Sequence, residues 1–231
     1  MTPCFLLLVA AHCIADFLLQ PDPLIERKRE KRFLLLHGII HAAVSWLAVQ
    51  AWGIWQLPVY VFVVHTAIDT VKQRYDDTAL AFVADQTAHL VSLFALAWWV
   101  SHFSSQAATT APLVSRIVIT VGGFVATVQG SAFLIGKFTR RLQEENDLEL
   151  GGLRGGGKWI GQLERALIFV LVFLGQPAAI GFLVAAKSIF RFEEAKKQEL
   201  AEYILVGTLL SFLLAITLAS ATLWALKQFP I

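Results

Sequence analysis

Apolar stretches of helix length follow one another along nearly the whole chain, separated by short polar or charged breaks. The pattern predicts membrane spans near 4–20, 33–55, 57–74, 79–101, 112–137, 159–175, 177–190 and 200–226. Pro21 and Pro23 end the first, and Pro58, Pro112 and Pro177 stand where helices would begin. The third span is short, and 177–190 reads equally as half of a re-entrant hairpin with 159–175. The expected fold is therefore all-α, a polytopic transmembrane helix bundle of seven or eight spans. Two units are expected, 1–103 as a four-helix unit and 104–231 as a second unit with a cytoplasmic basic loop.

Within this apolar pattern the polar positions are not scattered. Four segments each carry one pair of metal-capable side chains four residues apart: His12/Asp16, His37/His41, His65/Asp69 and Asp85/His89. Residues at that spacing share one helix face, one turn apart. Counted from the charged ends of their helices, all four pairs fall about one to two turns, or about 6–12 Å, inside. A weak repeat links them. AHCIADFLLQ followed by HGIIH recurs as VHTAIDTVKQ followed by ADQTAH, which predicts a duplicated helical hairpin in the first half.

Composition strengthens the membrane reading. The 231 residues are 57% hydrophobic and 16% charged, against about 25% charged in soluble domains. The first span lacks a basic leader region and holds His12 and Asp16, so it reads as retained rather than as a signal peptide. Arg27, Lys28, Arg29, Lys31 and Arg32 crowd the first loop, and Lys and Arg recur in alternate loops. The positive-inside rule then makes those loops cytoplasmic in an inner membrane and puts both termini outside. Trp46, Trp52, Trp55, Trp98 and Trp99 mark the outer ends. The basic RKREKR loop is accounted for by topology and anionic lipid, and nothing suggests nucleic acid as a partner.

The chemistry expected of the layer is metal binding. Imidazole with carboxylate suits Zn, Mn or Fe, and eight ligands suffice for one ion with an outer shell or for two sharing carboxylates. His12, Asp16, His37, His41, His65, Asp69, Asp85 and His89 are the expected metal ligands, with Asp16, Asp69 or Asp85 as ligand or general base for a water activated there. Hydrogen bonding between His and Asp without metal is the simpler reading, but such bonds average only about 0.6 kcal/mol in membranes. Cys13 points about 100° away from His12 and reads as a small buried hydrophobe. His102 reads as interfacial.

In the second half, Lys158, Arg165, Lys187 and Arg191 lie near the same inner level and are expected to hold an anionic lipid or lipid-linked phosphate. Snorkelling, with a Glu164–Lys187 pair stapling two helices, is the structural alternative. Gly152 to Lys158 fits G-x-x-x-x-G-K formally, but Trp159 replaces the Ser/Thr and no strand precedes it, so it is not a P-loop.

AHCIADFLLQ, LLLHGIIHA, HTAIDTVK, ADQTAHL, GKWIGQLER, GFLVAAKSIFRF and AEYILVGTLLS together resemble a bacterial membrane-protein family called domain of unknown function 3307, over about residues 8 to 215. That resemblance implies a fold and no particular reaction. More loosely, the His/Asp-rich first half is similar to membrane-bound metal-dependent hydrolases. The residues themselves favour a metal-dependent hydrolase acting on a lipid or lipid-linked phosphate at the cytoplasmic leaflet. A divalent metal transporter and a non-catalytic scaffold or sensor are the alternatives. Against transport, the outer halves of the first four spans hold no ionisable residue.

Overall fold

The computed structural model describes residues 1–20, 30–103, 111–148, 155–192 and 198–230, the stretch 188–192 by its backbone alone. Every regular element among the described residues is helical. In chain order these are α1 (Thr2–Cys13), continued by a π turn (Ile14–Leu18); α2 (Lys31–Val49); α3 (Gln56–Lys72); α4 (Ala79–Phe103); and α5 (Pro112–Val125), continued by a second π turn (Ala126–Gly130). Then follow α6 (Ser131–Glu145), α7 (Gly156–Phe173), α8 (Pro177–Phe192) and α9 (Gln198–Leu226). Pro112 and Pro177 open α5 and α8, where the missing N–H is no loss; Pro58 stands third in α3, which begins at Gln56, and Pro21 and Pro23 lie outside the described residues. Helix α2 stops at Gln50, whose left-handed φ of 54° lets its N–H reach the Trp46 carbonyl.

Four helical stretches are long and apolar enough to cross a membrane: Lys31–Val49, Ala79–Phe103, Pro112–Glu145 and Gln198–Leu226. Thr2–Leu18 and Pro177–Lys187 are apolar but shorter. The 17 residues of α3 fall short of the roughly 20 that a straight crossing takes, and α7 carries Lys158, Glu164 and Arg165 along its length. The cytoplasmic loop expected over 137–158 is shorter than that. Helix continues to Glu145, because Lys137, Arg140, Arg141, Glu144 and Glu145 are good helix formers and Arg141 pairs with Glu145 one turn on, at 2.8 Å.

The chain divides into two compact units, Met1–Ala126 with Trp224–Ile231, and Thr127–Leu223. The first unit therefore reaches past the boundary expected at 103 and takes in α5. The reason is a close approach between α5 and α1. A Cβ added at Gly122 would stand 2.7 Å from the Ala10 Cα, so only glycine lets the two backbones meet. Gly38 plays the same part between α2 and α3, where a Cβ would collide with Thr66 and press on Phe62. The Arg116 guanidinium donates to the Phe229 carbonyl at 3.0 Å, tying the C-terminal turn to α5.

In this first unit the usual partition of polarity is reversed. Leu35, Leu36, Ile39, Leu47, Val63, Val91 and Phe94 are exposed, while five histidines and three aspartates are buried. Such a surface needs an apolar surround. Leu7, Leu8, Ala11, Leu57, Leu93 and Ala97 fill the space beyond the polar layer. In the second unit Ile168, Ile180, Phe212 and Ala215 form the core.

Gly122→Ala should lower the stability of the detergent-solubilised protein by about 1–3 kcal/mol, the usual penalty for overpacking, because the atom it strikes is backbone. Gly181→Ala, with open space around it, serves as the control. Equal melting temperatures for the two variants would contradict the α1–α5 contact.

Candidate metal centre

The four i,i+4 pairs all turn inward. His12, Asp16, His37, His41, His65, Asp69, Asp85 and His89 are each at most 9% exposed. Three of the pairs sit on regular helix, where the spacing alone puts both side chains on one face. The fourth depends on a distortion. Asp16 lies in the π turn, closed by the Leu19 N–H on the Ile14 carbonyl at 3.0 Å. The widened turn places Ala15 and Asp16 together on the buried side of α1. π turns of this kind recur at functional sites.

Two carboxylates organise the layer. Asp16 Oδ1 stands 3.0 Å from His37 Nε2 and 3.2 Å from His41 Nε2, and Asp16 Oδ2 is 3.5 Å from His12 Nε2. Asp69 Oδ2 is 3.5 Å from His65 Nε2 and 3.7 Å from His37 Nε2, and Asp69 Oδ1 is 3.6 Å from His89 Nε2. His89 Nε2 is also 3.5 Å from Asp85 Oδ1. All five imidazoles thus point the same nitrogen inward, and the rings of His41 and His65 stack at 3.5 Å. A water-sized cavity bordered by His12, His41, His65, His89, Ser45 and Tyr60 lies against them.

Hydrogen bonds to Asp16 from His37, His41 and Gln86 satisfy part of the layer, and the rest has the donor chemistry that a metal would need. Nε2 of His65, Nε2 of His89 and Oδ1 of Asp85 are buried without a hydrogen-bond partner, and contacts of 3.5 Å and beyond are too long for good ones. A buried polar atom left so is costly. Donors around a tetrahedral ion with bonds of about 2.0–2.2 Å stand about 3.3–3.6 Å apart, and His12–Asp16, His65–Asp69, His89–Asp69 and His89–Asp85 are spaced at 3.5–3.6 Å. Asp16, His37, His41 and His65 can offer ligand atoms all within 4.8 Å of one another, as can Asp69, Asp85 and His89, and as can His12, His65 and His89. Cys13 joins none of these groups and is only partly buried.

Two participants were not legible beforehand. The Gln86 amide spans the layer: its Nε2 donates to Asp16 Oδ2 and to Asp85 Oδ2, each at 3.2 Å, and its Oε1 is 3.3 Å from His12 Nε2. Lys72 Nζ donates to Asp85 Oδ2 at 2.6 Å. Gln86 follows Asp85 in the chain, and Lys72 comes three residues after Asp69, one turn on. Only their position beside ligand pairs could have marked them.

Two of the four basic residues expected to grip a substrate, Arg165 and Lys187, have partners within the second unit. The Arg165 guanidinium is buried and donates through Nε and Nη2 to the Val128 carbonyl, at 3.2 and 2.9 Å, and through Nη1 to Ser211 Oγ at 3.2 Å. Lys187 Nζ donates to Glu164 Oε2 at 2.6 Å and lies over the Phe212 ring. This is the helix-stapling pair. Lys158 is exposed at the start of α7, and the Arg191 side chain lies outside the described residues. His102 is exposed and sits against the Trp98 carbonyl.

Apolar helices that turn carboxylates and imidazoles toward one buried layer share that geometry with metal sites built in helix bundles. Residues 4–116 match the model of the family described as protein of unknown function (DUF3307). The match takes in all eight candidate ligands and ends at Arg116, short of the GKWIGQLER, GFLVAAKSIFRF and AEYILVGTLLS stretches. No curated protein and no solved structure matches the chain.

If Arg165 serves the second unit's packing, Arg165→Lys should cost about 1.5–3 kcal/mol, because one ammonium cannot reach both partners. Thermal unfolding in detergent reads this. A melting temperature unmoved by the change would return Arg165 to the list of ligand-binding groups.

Proposed function

We propose that the first unit is an intramembrane metal centre and that the protein is a metal-dependent hydrolase of a lipid or lipid-linked phosphate, working at the cytoplasmic leaflet of a bacterial inner membrane. The observation that carries the metal is the set of buried, inward-aimed donors lacking hydrogen-bond partners at His65, His89 and Asp85. A divalent ion there would polarise a phosphoryl oxygen and make a neighbouring water acidic enough to attack. In this reading Asp16 and Asp69 share the ion with the imidazoles around them, and Asp85, whose Oδ2 is held by Lys72 and Gln86, offers Oδ1.

Direction of access favours hydrolysis over transport. On the tryptophan side of the layer, Ala48, Val49, Leu57, Leu96, Ala97 and Val100 are all buried, which supports a closed apolar plug rather than a polar route. On the other side Lys72 is partly exposed while holding Asp85, which supports entry there. The basic residues of the first loop in the sequence support a cytoplasmic reading of that side, with both termini outside, and the hairpins of the first half are read as a duplication.

The test is element analysis of protein purified in detergent, with phosphate release measured from phosphatidic acid and from a prenyl diphosphate. Bound Zn, Mn or Fe is expected, with hydrolysis lost on chelation. Asp16→Asn and His37→Ala should each weaken metal binding by more than about tenfold. Folded wild-type protein with no ion above the detergent blank would end the proposal. Bound metal without hydrolysis, but with ion uptake into proteoliposomes, would replace it with transport.

A further inference from the structure

The ligand layer has more donors than one ion can use, and their geometry is divided. Asp16 presents Oδ1 to His37 and His41 but Oδ2 to His12. Asp69 presents Oδ2 to His65 and His37 but Oδ1 to His89. Each carboxylate thus turns one oxygen toward each of two donor groups, the posture of a bridging ligand. Asp85 Oδ1 belongs with His89, 3.5 Å away, and its other oxygen is held by Lys72 and Gln86.

We propose that the layer holds two divalent ions of unlike ligand sets, one against His37, His41 and His65, the other against His12, Asp85 and His89, with Asp16 and Asp69 bridging them. The inference rests on the reading of the layer as a metal centre and adds to it the number, partition and kind of ion.

The sequence repeat supports the partition. Aligning AHCIADFLLQ with VHTAIDTVKQ pairs His12 with His65 and Asp16 with Asp69, and the following helices pair His37 and His41 with Asp85 and His89. Exchanging the two halves converts the first ligand set into the second, with one change of chemistry: His37 in one set is Asp85 in the other. The first set is therefore richer in nitrogen and suits zinc. The second is richer in oxygen and suits a harder ion such as manganese. The same alignment places Lys72 opposite Leu19, so the ammonium that holds Asp85 belongs to the second set alone.

A single stoichiometry experiment separates the possibilities. Chelator-stripped protein in detergent is equilibrated with Mn2+ and dialysed, and ions per chain are counted. Two are expected for the wild type, and one each for His37→Ala/His41→Ala and for Asp85→Asn/His89→Ala. Because a double variant that misfolds would also lose metal, each is checked by its thermal melt, and the wild type is read by itself. Its Mn2+ electron paramagnetic resonance spectrum should show exchange coupling between ions about 3.5–4 Å apart. With mixed Zn2+ and Mn2+, the nitrogen-rich set should retain zinc in Asp85→Asn/His89→Ala. One ion per wild-type chain with an uncoupled spectrum overturns this inference and leaves the metal centre standing. No ion in the wild type overturns both. Loss of all metal from a folded double variant shows one shared site and likewise overturns the partition.

Discussion

Three carboxylates share one buried layer with five imidazoles and a single ammonium, and the electrostatics of that layer govern the first unit. Asp16, Asp69 and Asp85 are each at most 9% exposed. Like charges in such a place repel, and each pays for leaving water. Lys72 offsets Asp85, while Asp16 lies against His37, His41 and Gln86 and Asp69 against His65 and His89. The helices are arranged around this need. Gly38 and Gly122 let α2 meet α3 and α5 meet α1, and the π turn in α1 adds Asp16 to the buried face. The packing brings three carboxylates and five imidazoles within reach of one another.

Most of the helices were legible because apolar runs and proline starts are local signals. The ligand pairs were legible for the same kind of reason, since a spacing of four is a statement about one helix face. What escaped was whatever depends on a neighbouring helix. Gly122 looks like any glycine in an apolar run until Ala10 is found against it. Gln86 is one polar residue among others until three ligand side chains surround it. The extension of α6 to Glu145 was hidden by reading charge as loop, although charged residues at helical spacing favour helix once solvated. The Glu164–Lys187 pair was legible as the alternative to substrate binding, whereas the partner of Arg165, the Val128 carbonyl, lies 37 residues away and carries no side-chain signal.

The second π turn has a structural role of its own kind. It spans Ala126–Gly130, and the Val128 carbonyl within it accepts both bonds from Arg165. A carbonyl displaced from regular helix bonding and a buried guanidinium satisfy one another, so neither is left unpaired in an apolar core. The two π turns thus do different things with the same distortion. One delivers a carboxylate to the ligand layer, and the other delivers a carbonyl to an arginine.

Charge balance links the number of ions to the class of substrate. With neutral imidazoles, one divalent ion together with Lys72 cancels the three carboxylates. Two divalent ions leave a surplus of two positive charges, which an apolar surround does not tolerate without a counter-charge. A phosphate monoester carries about −1.5 to −2 near neutral pH, close to that surplus. A two-ion centre in this bundle would therefore be incomplete until such an anion arrives, and the anion would bind because the centre is incomplete. The cavity against the imidazoles is only water-sized, so the anion must come from the partly exposed Lys72 side, where displacement of the ammonium from Asp85 would free both an oxygen for the second ion and a cation for the incoming phosphate. In that arrangement Lys72 would hold Asp85 before an anion arrives and offset the anion's charge afterwards, a role that Leu19, its counterpart in the sequence alignment, could not take.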